Sequence, residues 1–121
     1  RRSQLVLESL PKVKSDPLHF LQTPKNRDLG FFSLLPDSKI LIVPSTLSPF
    51  PLGEVHFIEN KEDPPSRAYL KLWELFTLHL PPPAKGTRVL DFGSCPGGWT
   101  WVLQQLGCQV ISVDKAPLDE K

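Results

Sequence analysis

Residues 91–117, DFGSCPGGWTWVLQQLGCQVISVDKAP, decide how the rest of the chain is read. An apolar run, Thr87 to Phe92, carries Asp91 near its end and meets the turn Gly93-Ser94-Cys95-Pro96-Gly97-Gly98. Gly97 to Leu106 reads as a helix, because Trp99, Val102, Leu103 and Leu106 recur at i, i+3, i+4 and i+7. Gly107 is a natural C-terminal stop. A second apolar run, Gln109 to Val113, ends at Asp114. Two short apolar strands joined by a helix predict a parallel pair with a right-handed crossover. The expected fold class is therefore α/β. Ligands of such sheets sit at the carboxyl ends of the strands, where Asp91, Gly93 and Asp114 fall.

The turn excludes two nucleotide readings. A dinucleotide fingerprint, G-x-G-x-x-G, needs backbone close to a pyrophosphate. Here Cys95 stands at the middle glycine, and Pro96 removes an amide donor. A phosphate loop needs Lys-Ser or Lys-Thr after its glycines, and none follows. An adenosine ligand without phosphates fits better, and S-adenosylmethionine (SAM) is one. Gly93, Gly97 and Gly98 offer bare backbone to its methionine portion. Asp114, 21 residues after Gly93, is near the offset of about 20 expected of a ribose-binding acid. Asp91 supplies negative charge near the sulfonium and amino groups. The competing reading of this spacing is a purely structural turn, with glycines for helix–strand packing and aspartates as caps.

Working back along the chain, Pro81-Pro82-Pro83 end a helix expected over Arg67–His79, with Ser66 as its N-cap. Tyr69, Leu72, Trp73, Phe76 and Leu80 form one stripe of that helix, while Lys71 and Glu74 share the opposite side with Leu75 and Leu78. Residues 61–65 read as a linker. Residues 1–60 read as a small β-containing region with strands at Phe31–Leu35, Lys39–Val43 and Glu54–Ile58 and a tight turn at Pro36-Asp37-Ser38. Pro11, Pro17 and Pro24 interrupt any long helix before them. Tyr69, Trp73 and Trp99 are expected to pack in the core. Trp101 lies off its helix's stripe, so it is either exposed or covered by another layer. Arg67 suits either RNA phosphate or the adjoining loop.

Bulk properties narrow the setting. The net charge of +1 points to no particular partner, although residues 1–30 carry six basic groups against three acidic ones. That end suits either a polyanion or plain solvation. Two cysteines and three histidines offer no zinc spacing, so no metal is expected. No signal peptide and no apolar run of membrane length is visible, which points to a reducing, cytoplasmic setting without a membrane partner.

Two segments carry a family resemblance. LDFGSCPGGWT, residues 90–100, resembles motif I of the FtsJ-like ribose 2'-O-methyltransferases, and PPSRAYLKLWE, residues 64–74, resembles the helix before that motif. The CPGGW form is most similar to the RlmM-type branch, which modifies a ribose of large-subunit (23S) ribosomal RNA. The resemblance implies the N-terminal part of a Rossmann-like, SAM-dependent sheet, with an RNA substrate and a preceding RNA-binding region. It implies a cofactor site of Asp91, Gly93, Ser94, Cys95, Pro96, Gly97, Gly98, Trp99 and Asp114. It also implies a catalytic role for Lys71, as the first lysine of the family's Lys-Asp-Lys-Glu tetrad. A ribose hydroxyl must lose its proton as it attacks the methyl, and a lysine held among leucines is suited to take it. Otherwise Lys71 is a surface residue paired with Glu74. The other tetrad members lie on later strands, and Asp114, Lys115, Asp119 and Glu120 do not fit them. The expectation is part of a longer enzyme, inactive by itself. A non-catalytic SAM-binding module and a fragment of an NAD-linked oxidoreductase are the alternatives.

Overall fold

The computed structural model describes residues 2–11, 13, 16–25 and 28–118, which leaves Asp119 and Glu120 outside the described residues. Two compact units emerge, one within Arg1–Leu18 and Pro24–His56, the other within His19–Thr23 and Phe57–Lys121.

The first unit holds α1 (Arg2–Ser9) and the antiparallel strands β1 (Phe31–Leu34) and β2 (Ile40–Val43). Helix α1 stops before Pro11, whose ring forbids another turn. The β1–β2 register runs from Phe31 opposite Val43 to Leu34 opposite Ile40. Asp37 and Ser38 at the tip have φ of 59° and 60°, the pair of positive values a type I′ hairpin turn requires. The strand expected at Glu54–Ile58 does not form. The chain makes a 3-10 turn at Pro51–Gly53, with Leu52 and Gly53 both at positive φ. The residues after that turn add no strand to β1–β2, although the Leu18 amide donates to the His56 carbonyl at 2.8 Å.

The second unit holds α2 (Tyr69–Leu78), β3 (Arg88–Phe92), α3 (Gly98–Gln105) and β4 (Gln109–Val113). Strands β3 and β4 pair in parallel, as the apolar spacing predicts, with Leu90 opposite Ile111 and Asp91 opposite Ser112. Helix α3 packs on both strands and on α2. Side chains alternate across a strand. Val89, Asp91, Val110 and Ser112 therefore share the less exposed face. The other face is open, with Leu90 57% and Phe92 73% exposed.

Helix α2 begins later than its sequence suggests. The Ser66 hydroxyl accepts from the Ala68 amide (3.4 Å), and successive three-residue turns lead from Ser66 into the helix. The preceding loop is tied down. Asn60 Oδ1 accepts from the amides of Glu62 and Asp63, and the Asn60 amide donates to the Tyr69 hydroxyl at 2.7 Å. Arg67 resolves to the loop, its Nε 2.7 Å from Glu59 Oε1.

The aromatic core corrects the stripe reading of α3. Trp101 is buried, against Phe20 (ring centroids 4.7 Å apart) and Tyr69 (5.5 Å). Phe20 also meets Trp73 edge-on at 5.2 Å, and Phe57 stacks on Trp73 at 3.9 Å. Trp99, expected in the core, is 43% exposed. Helix α3 has two partners, the sheet and the α2 layer, so its buried arc extends round to Thr100 and Trp101.

Candidate functional site

The loops at the carboxyl ends of β3 and β4 are fastened together. The Gly93 amide donates to the Val113 carbonyl (2.9 Å), and the Cys95 amide donates to Asp114 Oδ2 (2.8 Å). Asp114 Oδ1 accepts from the Ala116 amide at 3.0 Å. Backbone amides, Ala116 foremost and then Cys95, hold the exposed Asp114 carboxyl below its ordinary range. A carboxylate has about four lone-pair sites. Asp114 can therefore accept further hydrogen bonds while keeping those from the Cys95 and Ala116 amides.

The glycine turn between them is shaped by close approach. Gly97 has φ of 111°, a value that side chains on Cβ disfavour. At Gly98 an added Cβ would stand 2.5 Å from Ser66 Oγ and 3.1 Å from the Tyr69 amide nitrogen, so its bare backbone lets α3 start against α2. Trp99 strengthens that junction, its indole Nε1 donating to the Ala68 carbonyl at 3.1 Å.

A cavity of about 210 Å³ opens between these parts. That is below the range of about 300–1,000 Å³ typical of a whole small-molecule site, so it suits one portion of a ligand. Asp91, Gly93 and Ser94 form one wall and Ser66 and Ala68 another, while Cys95, Pro96, Gly98 and Trp99 complete the lining with Phe92. Seven of the residues expected in the cofactor site therefore meet here. Gly97 and Asp114 are not in the lining. Neither is Lys71, which is exposed and not sequestered among Leu75 and Leu78. No described ion pair joins it to Glu74. Its amide donates to the Ala68 carbonyl at 3.2 Å, which puts it one helical turn from the cavity wall.

Polar groups in the cavity are unequally satisfied. Asp91 is 6% exposed, and its Oδ2 accepts from Thr100 Oγ1 at 2.6 Å. Thr100 Oγ1 lies 2.8 Å from Ser112 Oγ. Ser94 is 5% exposed, and its hydroxyl has no partner. Thr100 and Ser112 were not expected at the site. Their signal in the sequence is faint: a hydroxyl on the buried arc of α3, and another on the inward alternation of β4. Among the described residues no group of His, Cys, Asp and Glu could hold a metal ion, and no helix is long and apolar enough to cross a membrane.

Comparison with known proteins bears out the resemblance carried by residues 64–74 and 90–100. Residues 64–120 match the FtsJ-like methyltransferase family. The chain is similar to the ribosomal RNA large subunit methyltransferase M of Shewanella woodyi, with 39% identity over 79 residues, or 60% of this chain and 22% of that protein. The protein of the same name from Tolumonas auensis is 34% identical over 105 residues, covering 80% of this chain and 28% of its own length. That from Xanthomonas campestris pv. campestris is 40% identical over 82 residues, 63% of this chain and 23% of its own length. The chain thus spans about a quarter of the length of these curated relatives.

Proposed function

We propose that residues 64–120, an FtsJ-like methyltransferase segment, bind SAM at the carboxyl ends of β3 and β4. We further propose that they serve methyl transfer to a ribose 2'-hydroxyl of RNA, with large-subunit ribosomal RNA as substrate. The observation that carries the cofactor reading is Ser94. Its buried hydroxyl has no partner and lines the cavity beside Asp91. Buried polar groups are almost always hydrogen-bonded, and a polar ligand would complete this one. Gly93 leaves room for it, since an added Cβ there would meet nothing within 4 Å.

SAM supplies an activated methyl group on a positively charged sulfur. The buried Asp91 carboxylate favours the cationic portion of that ligand. Asp114 accepts from the ribose hydroxyls, pre-aimed by its amide bonds. Lys71, a turn from the cavity wall, orients or accepts the proton of the attacking ribose hydroxyl. The parallel β3–β4 pair belongs, on this reading, to a Rossmann-like sheet, with the first 60 residues helping to position RNA. The cytoplasm is the compartment this function implies. The names of the relatives support ribosomal RNA as the substrate.

The exposure of Lys71 outside the cavity favours a second reading, a SAM-binding module that does not itself catalyse. Calorimetric titration tests both. SAM should bind and NAD should not; the reverse order of affinity would overturn the cofactor reading. Lys71→Ala should leave SAM affinity within about twofold and abolish methyl transfer to ribosomal RNA wherever the unaltered protein supports it. Unchanged turnover in that variant would remove Lys71 from the catalytic role, and SAM binding without methyl transfer by the unaltered protein would favour the binding module.

A further inference from the structure

We infer that Thr100, which is buried, and Ser112, which is half-buried, form a hydroxyl relay that fixes the orientation of the Asp91 carboxylate, which makes Thr100 a positioning residue. The inference rests on the cofactor reading above and adds residues that act through Asp91.

Hydrogen counting gives the relay a direction. Thr100 Oγ1 has one hydrogen, and at 2.6 Å from a carboxylate oxygen it gives that hydrogen to Asp91. The 2.8 Å contact with Ser112 must then run the other way, with Ser112 donating. The order is Ser112 to Thr100 to Asp91. The three residues come from β4, α3 and β3, and Ser112 stands directly opposite Asp91 in the parallel ladder. Thr100 is 5% exposed, so water does not compete for its hydroxyl.

The relay answers a difficulty that the cavity creates. A buried carboxylate is costly unless it is paired or well hydrogen-bonded. Among the described residues no Lys, Arg or His side chain bonds Asp91, and a hydroxyl takes that place. One oxygen is thereby committed to the protein, and the group keeps further acceptor capacity on the cavity side. A cationic ligand group would meet a carboxylate whose rotation is already restricted, so less ordering remains for binding.

Calorimetric titration of SAM against the full chain and its variants tests this, with a thermal melt of each variant to establish folding. Thr100→Val should weaken SAM about tenfold, Thr100→Ser should bind within about twofold of the unaltered protein, and Ser112→Ala should lose about threefold. The double variant Asp91→Asn with Thr100→Val should bind no more weakly than Asp91→Asn alone, because Thr100 acts through that carboxylate. Full additivity in this cycle, or unchanged affinity in both Thr100→Val and Ser112→Ala, would overturn the relay and leave the cofactor reading standing. If Thr100→Val does not fold, Ser112→Ala decides the matter, since it keeps the β4 backbone and nearly all the volume, and unchanged affinity in it overturns the relay. If the unaltered protein binds no SAM, the cofactor reading fails and the positioning role fails with it.

Discussion

The described residues form two sheets of two strands each, and all four strands are short. In β1–β2 the pairing is local. Two residues with left-handed backbone reverse the chain, and the strands meet at once. The hairpin leaves Ile40 52% and Ile42 69% exposed, so little burial supports it. In β3–β4 the pairing is distant in sequence, and a whole helix intervenes. There the strands are joined three times over: by the ladder, by side chains beneath α3, and by the loop bonds from Gly93 and Cys95 to the other strand's end. The difference shows that similar strands can owe their pairing to a turn in one place and to tertiary packing in another. A candidate site gathers only where packing brings separate elements to one point.

Three experiments press on that contrast. The largest effect should come from Trp101→Ala, which removes a buried ring held by Phe20 and Tyr69. A loss of about 3–5 kcal/mol is expected, read as a lower urea midpoint by near-ultraviolet circular dichroism. Amide exchange across β1–β2 should stay unchanged; equal loss of protection in both sheets would break the contrast. A smaller and opposite effect should follow Ser38→Gly. It relieves a non-glycine residue at φ 60° and makes the Asp-Gly pair that type I′ turns prefer, adding roughly 0.5–1 kcal/mol to the hairpin. Slower amide exchange at Ser33 and Leu41, the hydrogen-bonded pair next to that of Leu35 and Lys39, with no change in β3–β4, is the expected record. The smallest effect concerns acid. The Asp114 carboxyl sits below its ordinary value when folded. Its grip on the Cys95 amide is therefore complete above that ordinary value and is lost as pH falls through the lower folded one. The Cys95 amide resonance should shift in that acidic window, and Asp114→Asn should abolish the shift.

The parts legible in the sequence are those governed by local period. The limits of β4 and the start of α3 at the glycine turn follow from apolar spacing, and Asp91 and Asp114 fall where strand ends put them. The positive-φ hairpin tip is also foreshadowed by Pro36-Asp37-Ser38. What escapes depends on partners far away in the chain. A single stripe on α3 assumes one neighbour, and the helix has two, so Trp101 is covered by another layer, one of its two expected outcomes, while Trp99, expected in the core, is exposed. Phe20 carries no periodic signal at all, yet it reaches three aromatic rings of the second unit. Glu54–Ile58 alternates like a strand but pairs with neither sheet. Thr100 and Ser112 gain their meaning only from the register that sets Ser112 beside Asp91.

The two loop bonds at the strand ends have a consequence for how this segment tolerates changes in length. The Gly93 amide is bound to Val113 and the Cys95 amide to Asp114, at 2.9 Å and 2.8 Å. One extra residue inside β4 would shift the alternation by one and turn Ser112 toward the open face. It would also carry Asp114 past the amide that donates to it. An insertion there would therefore damage the ladder, the Thr100–Ser112 contact and the Asp114–Cys95 bond together. One placed beyond Ala116, or at the exposed Pro81-Pro82 well before β3, would disturb none of the three.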